Sequence, residues 1–230
     1  MMPGTKQAAL RRTARTVERL LDRAYGPRAA PEPSDPLDAL IGTILSQNTS
    51  DVNSRRAYDA LRAAYPTWEE VMAVPRARLE RVLRPGGLAK TKSARIQRIL
   101  RSIARDGALS LDDLSLLPAD EAERRLLTFD GVGLKTARCV LLFALGRDAF
   151  PIDTHIHRVL MRIGIIPEGM TAEKAHAFVP PLIPKARCYA FHVNLIAHGR
   201  QVCRPRTPAC TRCPVRLHCA YGAGMHDTGT

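Results

Sequence analysis

The sequence predicts an all-α protein, and two observations carry that prediction. Apolar residues recur at intervals of three and four along nearly the whole 230-residue chain, which is the period of a helix with one buried face. No segment shows the sustained alternation of apolar and polar residues that a half-buried strand requires. Proline and glycine punctuate the chain between the periodic segments, so we expect helices joined by short connections.

Several helices can be located in order along the chain. Three apolar stripes mark amphipathic helices: Leu10, Ala14, Val17, Leu21 and Ala24; Leu37, Leu40, Ile41, Ile44 and Leu45; and Ile96, Ile99, Leu100 and Ile103. Asp35 and Pro36 stand where an N-cap and a first-turn proline would begin the second helix. Thr67 and Glu70 fit a capping box at the start of another. The segment 135–145 is apolar on most sides, which predicts a buried central helix.

Composition restricts the classes of partner. Lys and Arg number 35 against 22 Asp and Glu, a net charge of +13, which favours a polyanion such as nucleic acid or an anionic membrane surface. Hydrophobic residues make up 45% of the chain, enough for a core and too many for a disordered basic tail. Uncharged apolar runs are too short for a membrane span, and charges in 11–19 interrupt any signal peptide. We therefore expect a cytoplasmic protein without a membrane-spanning segment.

Positive charge is concentrated in two regions. Between Pro75 and Asp106 there are ten Lys or Arg against two acids, and no acid appears between Glu173 and Asp227. Solvated helix faces are the ordinary explanation for such runs. Two separate, positively charged regions in a protein of this net charge also fit a surface that binds the phosphates of a nucleic acid.

A glycine turn precedes the predicted central helix. Gly131, Val132 and Gly133 lie in the sequence Phe-Asp-Gly-Val-Gly-Leu-Lys-Thr-Ala. Two glycines at this spacing permit a tight turn whose N–H groups point outward and, with the positive end of the next helix, form an anion site. A sharp connection between helices without any ligand is the alternative.

Lys135 and Asp153 are the candidate catalytic pair. Lys135 falls in the first turn of its helix, where the helix dipole disfavours the ammonium form. Burial would disfavour that form further and leave a neutral amine able to attack a sugar carbon and form a Schiff base. Asp153 precedes a helix, so spacing alone favours a plain N-cap. Its functional alternative is a carboxylate that stabilises positive charge on a sugar and helps to activate the lysine.

Four cysteines crowd together near the C-terminus: Cys203, Cys210, Cys213 and Cys219. Such a cluster in a chain without a secretion signal indicates a metal site. Only one Cys-x-x-Cys pair is present, so a [4Fe–4S] cluster suits the spacing better than zinc does. Arg204 and Arg206 lie within the loop, and a cluster would fix this basic loop against DNA. Cys139 and Cys188 are expected to be small buried hydrophobes.

Together these motifs resemble the endonuclease III family of DNA glycosylases. The resemblance rests on the turn with Lys135, the segment 153–156, His198-Gly199-Arg200 and the cysteine spacing, and it runs from about Leu37 to Cys219. It implies two helical domains flanking a DNA-binding cleft. One is a six-helix barrel with a helix-hairpin-helix over 33–147, and the other is an iron–sulfur cluster domain formed by 1–32 and 148–230.

The resemblance also implies roles for individual residues. Lys135 matches the family's Schiff-base lysine and Asp153 its catalytic aspartate, while the glycine turn matches the phosphate-binding hairpin and the four cysteines match the cluster ligands. Leu88 matches an apolar wedge beside the extruded base. Asn48 takes the position of a residue that fills the gap, and Gln47 lies one residue earlier, so both are candidates. Further DNA contacts are expected from four basic residues: Lys92, Arg200, Arg204 and Arg206.

Two residues depart from the family pattern. Gly86 replaces a bulky apolar residue, which predicts a thinner wedge, and Asp130 replaces a proline, which adds negative charge beside the phosphate site. We therefore expect weaker or more selective DNA binding than is usual in the family.

The function implied by the resemblance is excision of damaged pyrimidines from double-stranded DNA, with cleavage at abasic sites. The expected partner is then double-stranded DNA that contains damaged bases or abasic sites, and the expected protein is a nucleoid-associated monomer without a membrane partner. An adenine glycosylase is disfavoured, because Thr43 and Ile44 stand where that branch has a catalytic glutamate. A mismatch thymine or uracil glycosylase and a non-catalytic DNA-binding module remain alternatives.

Overall fold

The computed structural model describes residues 4–223, and all regular secondary structure in that range is helical, which confirms the all-α prediction. The α-helices are α1 (Gly4–Tyr25), α2 (Pro36–Ser46), α3 (Asp51–Ala64), α4 (Trp68–Ala73), α5 (Arg76–Leu83), α6 (Ala89–Arg105), α7 (Ala119–Leu127), α8 (Leu134–Phe143), α9 (Thr154–Ile163), α10 (Ala172–Phe178), α11 (Cys188–Gln201) and α12 (Ala220–Ala223). Short 3-10 turns occupy Arg84–Gly86, Asp112–Ser115, Pro180–Leu182, Cys210–Arg212 and Arg216–His218. Within 4–223, none of the helices combines the length and the apolar character needed to cross a bilayer.

The chain divides into two compact units. The central unit is Glu32–Arg147, and the terminal unit combines Met1–Pro31 with Asp148–Thr230. Helices α2 to α8 belong to the central unit, and α1 and α9 to α12 belong to the terminal unit.

Local capping signals begin two helices of the central unit where the sequence predicts them. The Asp35 carboxylate accepts hydrogen bonds from the backbone N–H of Leu37 at 2.7 Å and of Asp38 at 3.1 Å. Thr67 and Glu70 form the predicted capping box at the start of α4. The predicted apolar stripes of α2 and α6 are buried, and α2 packs against both α8 and α3.

In the terminal unit, a charged network holds α1 against α11. The Arg187 guanidinium donates to Glu18 at 2.6 Å and also pairs with Asp22, and the Asn194 amide donates to Asp22 at 2.9 Å. Glu18 is only 5% exposed, so loss of its arginine partner would leave a buried carboxylate uncompensated. The predicted apolar stripe of α1 ends earlier than expected, because Ala24 is exposed.

Candidate functional site

The glycine turn joins α7 to α8 in the central unit and leaves the start of α8 open. Gly131 has a φ of +70°, in the left-handed region that favours glycine. Val132 is 6% exposed and anchors the turn in the core. Gly133 is the N-cap of α8 and has no side chain with which to satisfy the first N–H groups of the helix. Those groups therefore remain the kind of donors that bind an anion at a helix N-terminus.

Two arginines of α6, which sequence reasoning missed, hold this turn. A methyl group at Gly131 would lie 2.0 Å from Nε of Arg95, so the guanidinium packs directly on the glycine. Arg98 donates to the Asp130 carboxylate at 2.5 Å, and this hydrogen bond holds the pKa of Asp130 below its usual range. The negative charge expected at Asp130 is present, but Arg98 already pairs with it. The signal for this pair in the sequence is the i, i+3 spacing of the arginines within a basic helix.

Gln47 and Asn48, which the sequence could not separate as gap-filling residues, lie in different environments. The Gln47 amide donates to the Thr136 hydroxyl at 3.1 Å, and its carbonyl oxygen accepts from Arg95 at 2.7 Å. Asn48 is exposed and has a φ of +52°, a left-handed conformation that asparagine tolerates better than most residues. Gln47 is thus a tether between α2, α6 and α8, whereas Asn48 is presented to solvent.

The predicted wedge residue lies at the start of α6. Leu88 is 55% exposed and has a φ of +49°, which is an uncommon backbone conformation for leucine. Gly86 is buried, and a methyl group there would lie 2.8 Å from Cβ of Ala57 in α3. Gly86 therefore allows its turn to pack closely on α3, and the thinner wedge expected from this glycine stays a prediction.

Lys92 is buried, whereas a residue that contacts DNA directly must be exposed to solvent. Its side chain is 2% exposed, and its ammonium donates to the carbonyl of Leu45 at 2.6 Å, the hydroxyl of Thr49 at 2.6 Å and the carbonyl of Gly86 at 2.9 Å. Burial lowers the pKa of Lys92. All three of its donors are used inside the protein, so the predicted phosphate contact is corrected to an internal link.

Lys135 is the second residue of α8, so its predicted place in the first turn is confirmed. Its side chain is half-buried. Within the described part of the central unit, the ammonium makes no hydrogen bond or ion pair. This leaves the nitrogen available for chemistry beside the glycine turn.

In the terminal unit, Asp153 is the N-cap of α9, as spacing alone predicts. Its Oδ1 accepts a hydrogen bond from the backbone N–H of Ile156 at 2.7 Å, and the side chain is partly exposed. Within the described residues of this unit, Oδ2 has no hydrogen-bond partner. The capping role and a role for the carboxylate charge are therefore compatible.

The four cysteines line one cavity of the terminal unit. Among residues 4–223, no three His, Cys, Asp or Glu side chains are grouped as they would be around a single metal ion. The four cysteine side chains line the cavity and do not converge on the position of a single ion. Burial raises the pKa of Cys213 to about 11, so this thiol requires a nearby cationic group to be held as a thiolate.

Nitrogen donors approach three of these sulfurs. The Arg162 guanidinium lies 3.5 Å from Sγ of Cys203, the backbone N–H of Gly222 lies 3.4 Å from Sγ of Cys219, and Nε2 of His198 lies 3.6 Å from Sγ of Cys213. Four thiols around one cavity with N–H groups directed at the sulfurs fit the donor set of an iron–sulfur cluster.

The remaining predicted residues divide by exposure. Arg200, Arg204 and Arg206 are all exposed. Cys139 and Cys188 are buried, as expected, and burial raises the pKa of Cys188 to about 12.

Comparison with known proteins agrees with this helical architecture. The family described as HhH-GPD superfamily base excision DNA repair protein matches residues 41–184. Endonuclease III of Thermotoga maritima is 30% identical over 189 residues, which cover 82% of this chain and 84% of that protein. A protein of Arabidopsis thaliana provisionally named a DNA glycosylase is 35% identical over 165 residues, 71% of this chain and 56% of that relative. The chain thus spans little more than half of the Arabidopsis protein.

A solved structure is also similar over nearly the whole chain. It is an endonuclease III trapped as a covalent intermediate with DNA, with a TM-score of 0.79, 26% identity, and coverage of 94% of this chain and 98% of that one. The fold and the comparisons together place the chain among helical base excision DNA repair proteins. The chain belongs to the HhH-GPD superfamily of base excision DNA repair proteins.

Proposed function

We propose that this protein is a bifunctional DNA glycosylase and abasic-site lyase that removes damaged pyrimidines from double-stranded DNA. The observation that carries the proposal is Lys135, a half-buried lysine without a partner among the described residues of its unit, in the first turn of a helix whose N-terminus is open. The relatives named endonuclease III support it, as does the solved endonuclease III that was trapped covalently on DNA.

The first step is extrusion of the target nucleotide, because the sugar carbon is shielded within the duplex. Leu88 enters the base stack as an apolar wedge, which its 55% exposure at the start of α6 permits. Asn48 fills the space left by the base. Gln47 does not, since both ends of its carboxamide are bonded to protein. The N–H groups at Gly133 and the start of α8 bind a backbone phosphate.

The chemical steps begin with attack of the Lys135 amine on C1′ of the sugar. Lys135 Nζ attacks C1′, the glycosidic bond breaks, and the base leaves with the electron pair and takes up a proton. The attached nitrogen then releases a proton, its lone pair breaks the bond between C1′ and O4′, and O4′ takes up a proton, which leaves an iminium between Nζ and C1′. Loss of a C2′ proton and departure of the 3′ phosphate cleave the strand by β-elimination.

Asp153 stabilises the positive charge that develops on the sugar. Its Oδ1 caps α9, and the carboxylate as a whole carries the charge. Lys135 belongs to the central unit and Asp153 to the terminal unit.

We further propose that the four cysteines of the terminal unit hold a [4Fe–4S] cluster. Bound there, the cluster would cross-link the segment 203–219 and take no part in base removal. Arg204 and Arg206, both exposed on that segment, then contact the DNA backbone. Iron and sulfide analysis, with an absorbance band near roughly 400 nm from thiolate-to-iron transitions, tests the assignment. Protein purified without oxygen that contains neither iron nor sulfide would contradict it.

Borohydride trapping tests the catalytic proposal. Wild-type protein should form a covalent adduct with thymine-glycol duplex DNA, and Lys135→Gln should form none. Asp153→Asn is the informative second variant, because asparagine also caps helices, so α9 stays intact while the charge is lost. We expect Asp153→Asn to bind DNA and to release base far more slowly.

The substrates and variants separate the alternatives. Release of thymine from G·T mispairs in preference to thymine glycol would indicate a mismatch glycosylase. Wild-type protein that binds DNA and cuts neither substrate would indicate a binding module. Full trapping in Lys135→Gln would exclude Lys135 as the nucleophile.

A further inference from the structure

A buried lysine joins two loops of the central unit that are far apart in sequence. Lys92 is 2% exposed, and its three donors reach three neutral acceptors. No carboxylate is among these hydrogen-bond partners in the described part of the chain. A buried ammonium without a counter-ion is retained only where its hydrogen bonds are well satisfied, so the geometry of these three acceptors decides what the residue does.

Two of the acceptors belong to the loops that carry Asn48 and Leu88. We call residues 47–50 the gap loop and residues 84–88 the wedge loop. Lys92 bonds the Thr49 hydroxyl in the gap loop and the Gly86 carbonyl in the wedge loop. The Thr49 hydroxyl in turn donates to that same Gly86 carbonyl at 2.5 Å, so one network closes on both loops.

Each loop presents one residue in a left-handed backbone conformation. Asn48 has a φ of +52° and Leu88 a φ of +49°, and such a conformation is sterically unfavourable for a non-glycine residue, for leucine more than for asparagine. A strained backbone persists only where the surrounding contacts determine it. The hydrogen bonds of Lys92 end close to both of these residues in the sequence, since Thr49 follows Asn48 and Gly86 lies two residues before Leu88.

We propose that Lys92 is a positioning residue that locks the gap loop to the wedge loop, so that Asn48 and Leu88 enter DNA together during base extrusion. The inference rests on the gap and wedge roles given to those residues under the proposed function. It assigns Lys92 to extrusion and leaves the Schiff-base chemistry at Lys135 unaffected. Loss of Lys92 should therefore impair reaction on a stacked damaged base more than reaction on a pre-formed abasic site, which has no base to unstack.

The experiment compares Lys92→Met with Lys90→Met. Methionine is an unbranched side chain of similar length that lacks the ammonium. Lys90 is an exposed lysine of the same helix, so both variants lose one positive charge. Base release from thymine-glycol duplex and strand cleavage at a pre-formed abasic site are measured under single-turnover conditions. Extrusion is followed by the fluorescence of 2-aminopurine placed next to the lesion.

We expect Lys92→Met to slow base release about tenfold and to reduce the fluorescence rise, while cleavage at the abasic site stays within about threefold of wild type. Lys90→Met should leave the ratio of the two rates unchanged. Equal loss of both reactions in a folded Lys92→Met protein, or no change in either, would overturn the inference.

A second variant covers the case in which Lys92→Met does not fold. Thr49→Val keeps the side-chain shape and removes the hydroxyl that joins the gap loop to Lys92 and to the wedge loop, and it should shift the same ratio in the same direction. Because 2-aminopurine fluorescence reports extrusion without catalysis, it tests Lys92 even if the wild-type protein proves inactive. Wild-type inactivity would instead count against the proposed function.

Discussion

Replacement of Gly131 by alanine should destabilise the protein by about 2.5–5 kcal/mol. The left-handed φ of +70° at Gly131 accounts for about 1–2 kcal/mol of this, because a Cβ clashes with the following carbonyl in that conformation. The rest comes from Arg95. A new methyl group would lie 2.0 Å from Nε and 2.2 Å from Cζ of that residue, so the guanidinium must move.

Movement of the guanidinium breaks its hydrogen bond to Gln47, which is 2.7 Å long. Loss of a hydrogen bond to a charged group destabilises by about 1.5–3 kcal/mol. The two contributions can be separated in a double-mutant cycle with Arg95→Ala, measured by urea unfolding. In the Arg95→Ala background, Gly131→Ala should cost only the backbone contribution of about 1–2 kcal/mol.

Gly133→Ala is the matched control. Gly133 has an extended backbone, and a methyl group there meets no atom within 4 Å, so Gly133→Ala should cost only the penalty of alanine at an N-cap, about 1 kcal/mol. The same cost for Gly131→Ala with and without Arg95 would show that the arginine contact contributes nothing. A cost for Gly133→Ala as large as that for Gly131→Ala would contradict the explanation that the left-handed backbone and the Arg95 contact make Gly131 special.

Two further predictions concern charge. Asp130→Asn should strengthen DNA binding, because it removes a negative charge beside the glycine turn and releases Arg98. If Arg98 then neutralises one phosphate, the salt dependence of log affinity, followed by fluorescence anisotropy, steepens by about 0.9. Asp59→Asn, which breaks an exposed arginine pair in α3, is the control, and an equal effect would argue against a local role. Burial raises the pKa of Tyr58 from 10.0 to about 12, so the free energy of unfolding should fall as pH rises from 10 to 12. Urea unfolding of Tyr58→Phe should show a smaller fall, and an identical fall would contradict the shift.

Features decided by local interactions could be predicted from the sequence. The N-cap at Asp35 and the capping box of Thr67 and Glu70 each depend on residues no more than three positions apart, so their signals lie within one short segment. The helical period likewise predicts the all-α fold, which the structure confirms. The catalytic roles of Lys135 and Asp153 come from resemblance and stay predictions.

Features decided by distant contacts could not be predicted. The burial of Gly86 depends on Ala57, in a different helix. The distinction between Gln47 and Asn48 depends on Arg95 and Thr136, which lie 48 and 89 residues from Gln47. Nothing in the short segment around these residues indicates such neighbours.

Lys92 is an intermediate case, because a signal was present in the sequence and its charge obscured it. The residue lies four positions before Ile96 and seven before Ile99, so it shares the buried face of α6 with the apolar stripe. A lysine in a basic segment is expected on the surface, and the charge run dominated the interpretation. The helical period predicts the burial of Lys92 better than its charge does. A charged residue on the buried face of a helix needs hydrogen-bond partners inside the protein.

The same face of α6 explains how segments distant in sequence come together in the central unit. Lys92 reaches the gap and wedge loops, and Arg95, three residues later, reaches Gln47 and packs on Gly131. These contacts end on carbonyl, hydroxyl and amide groups, so they lack the partner charge that salt would screen in an exposed ion pair. The arrangement of the two loops and the glycine turn therefore depends on α6 more than on the surface charges that attract DNA. Substitutions on the buried face of α6 should alter what the site does to bound DNA, and substitutions on its exposed face should alter how strongly DNA binds.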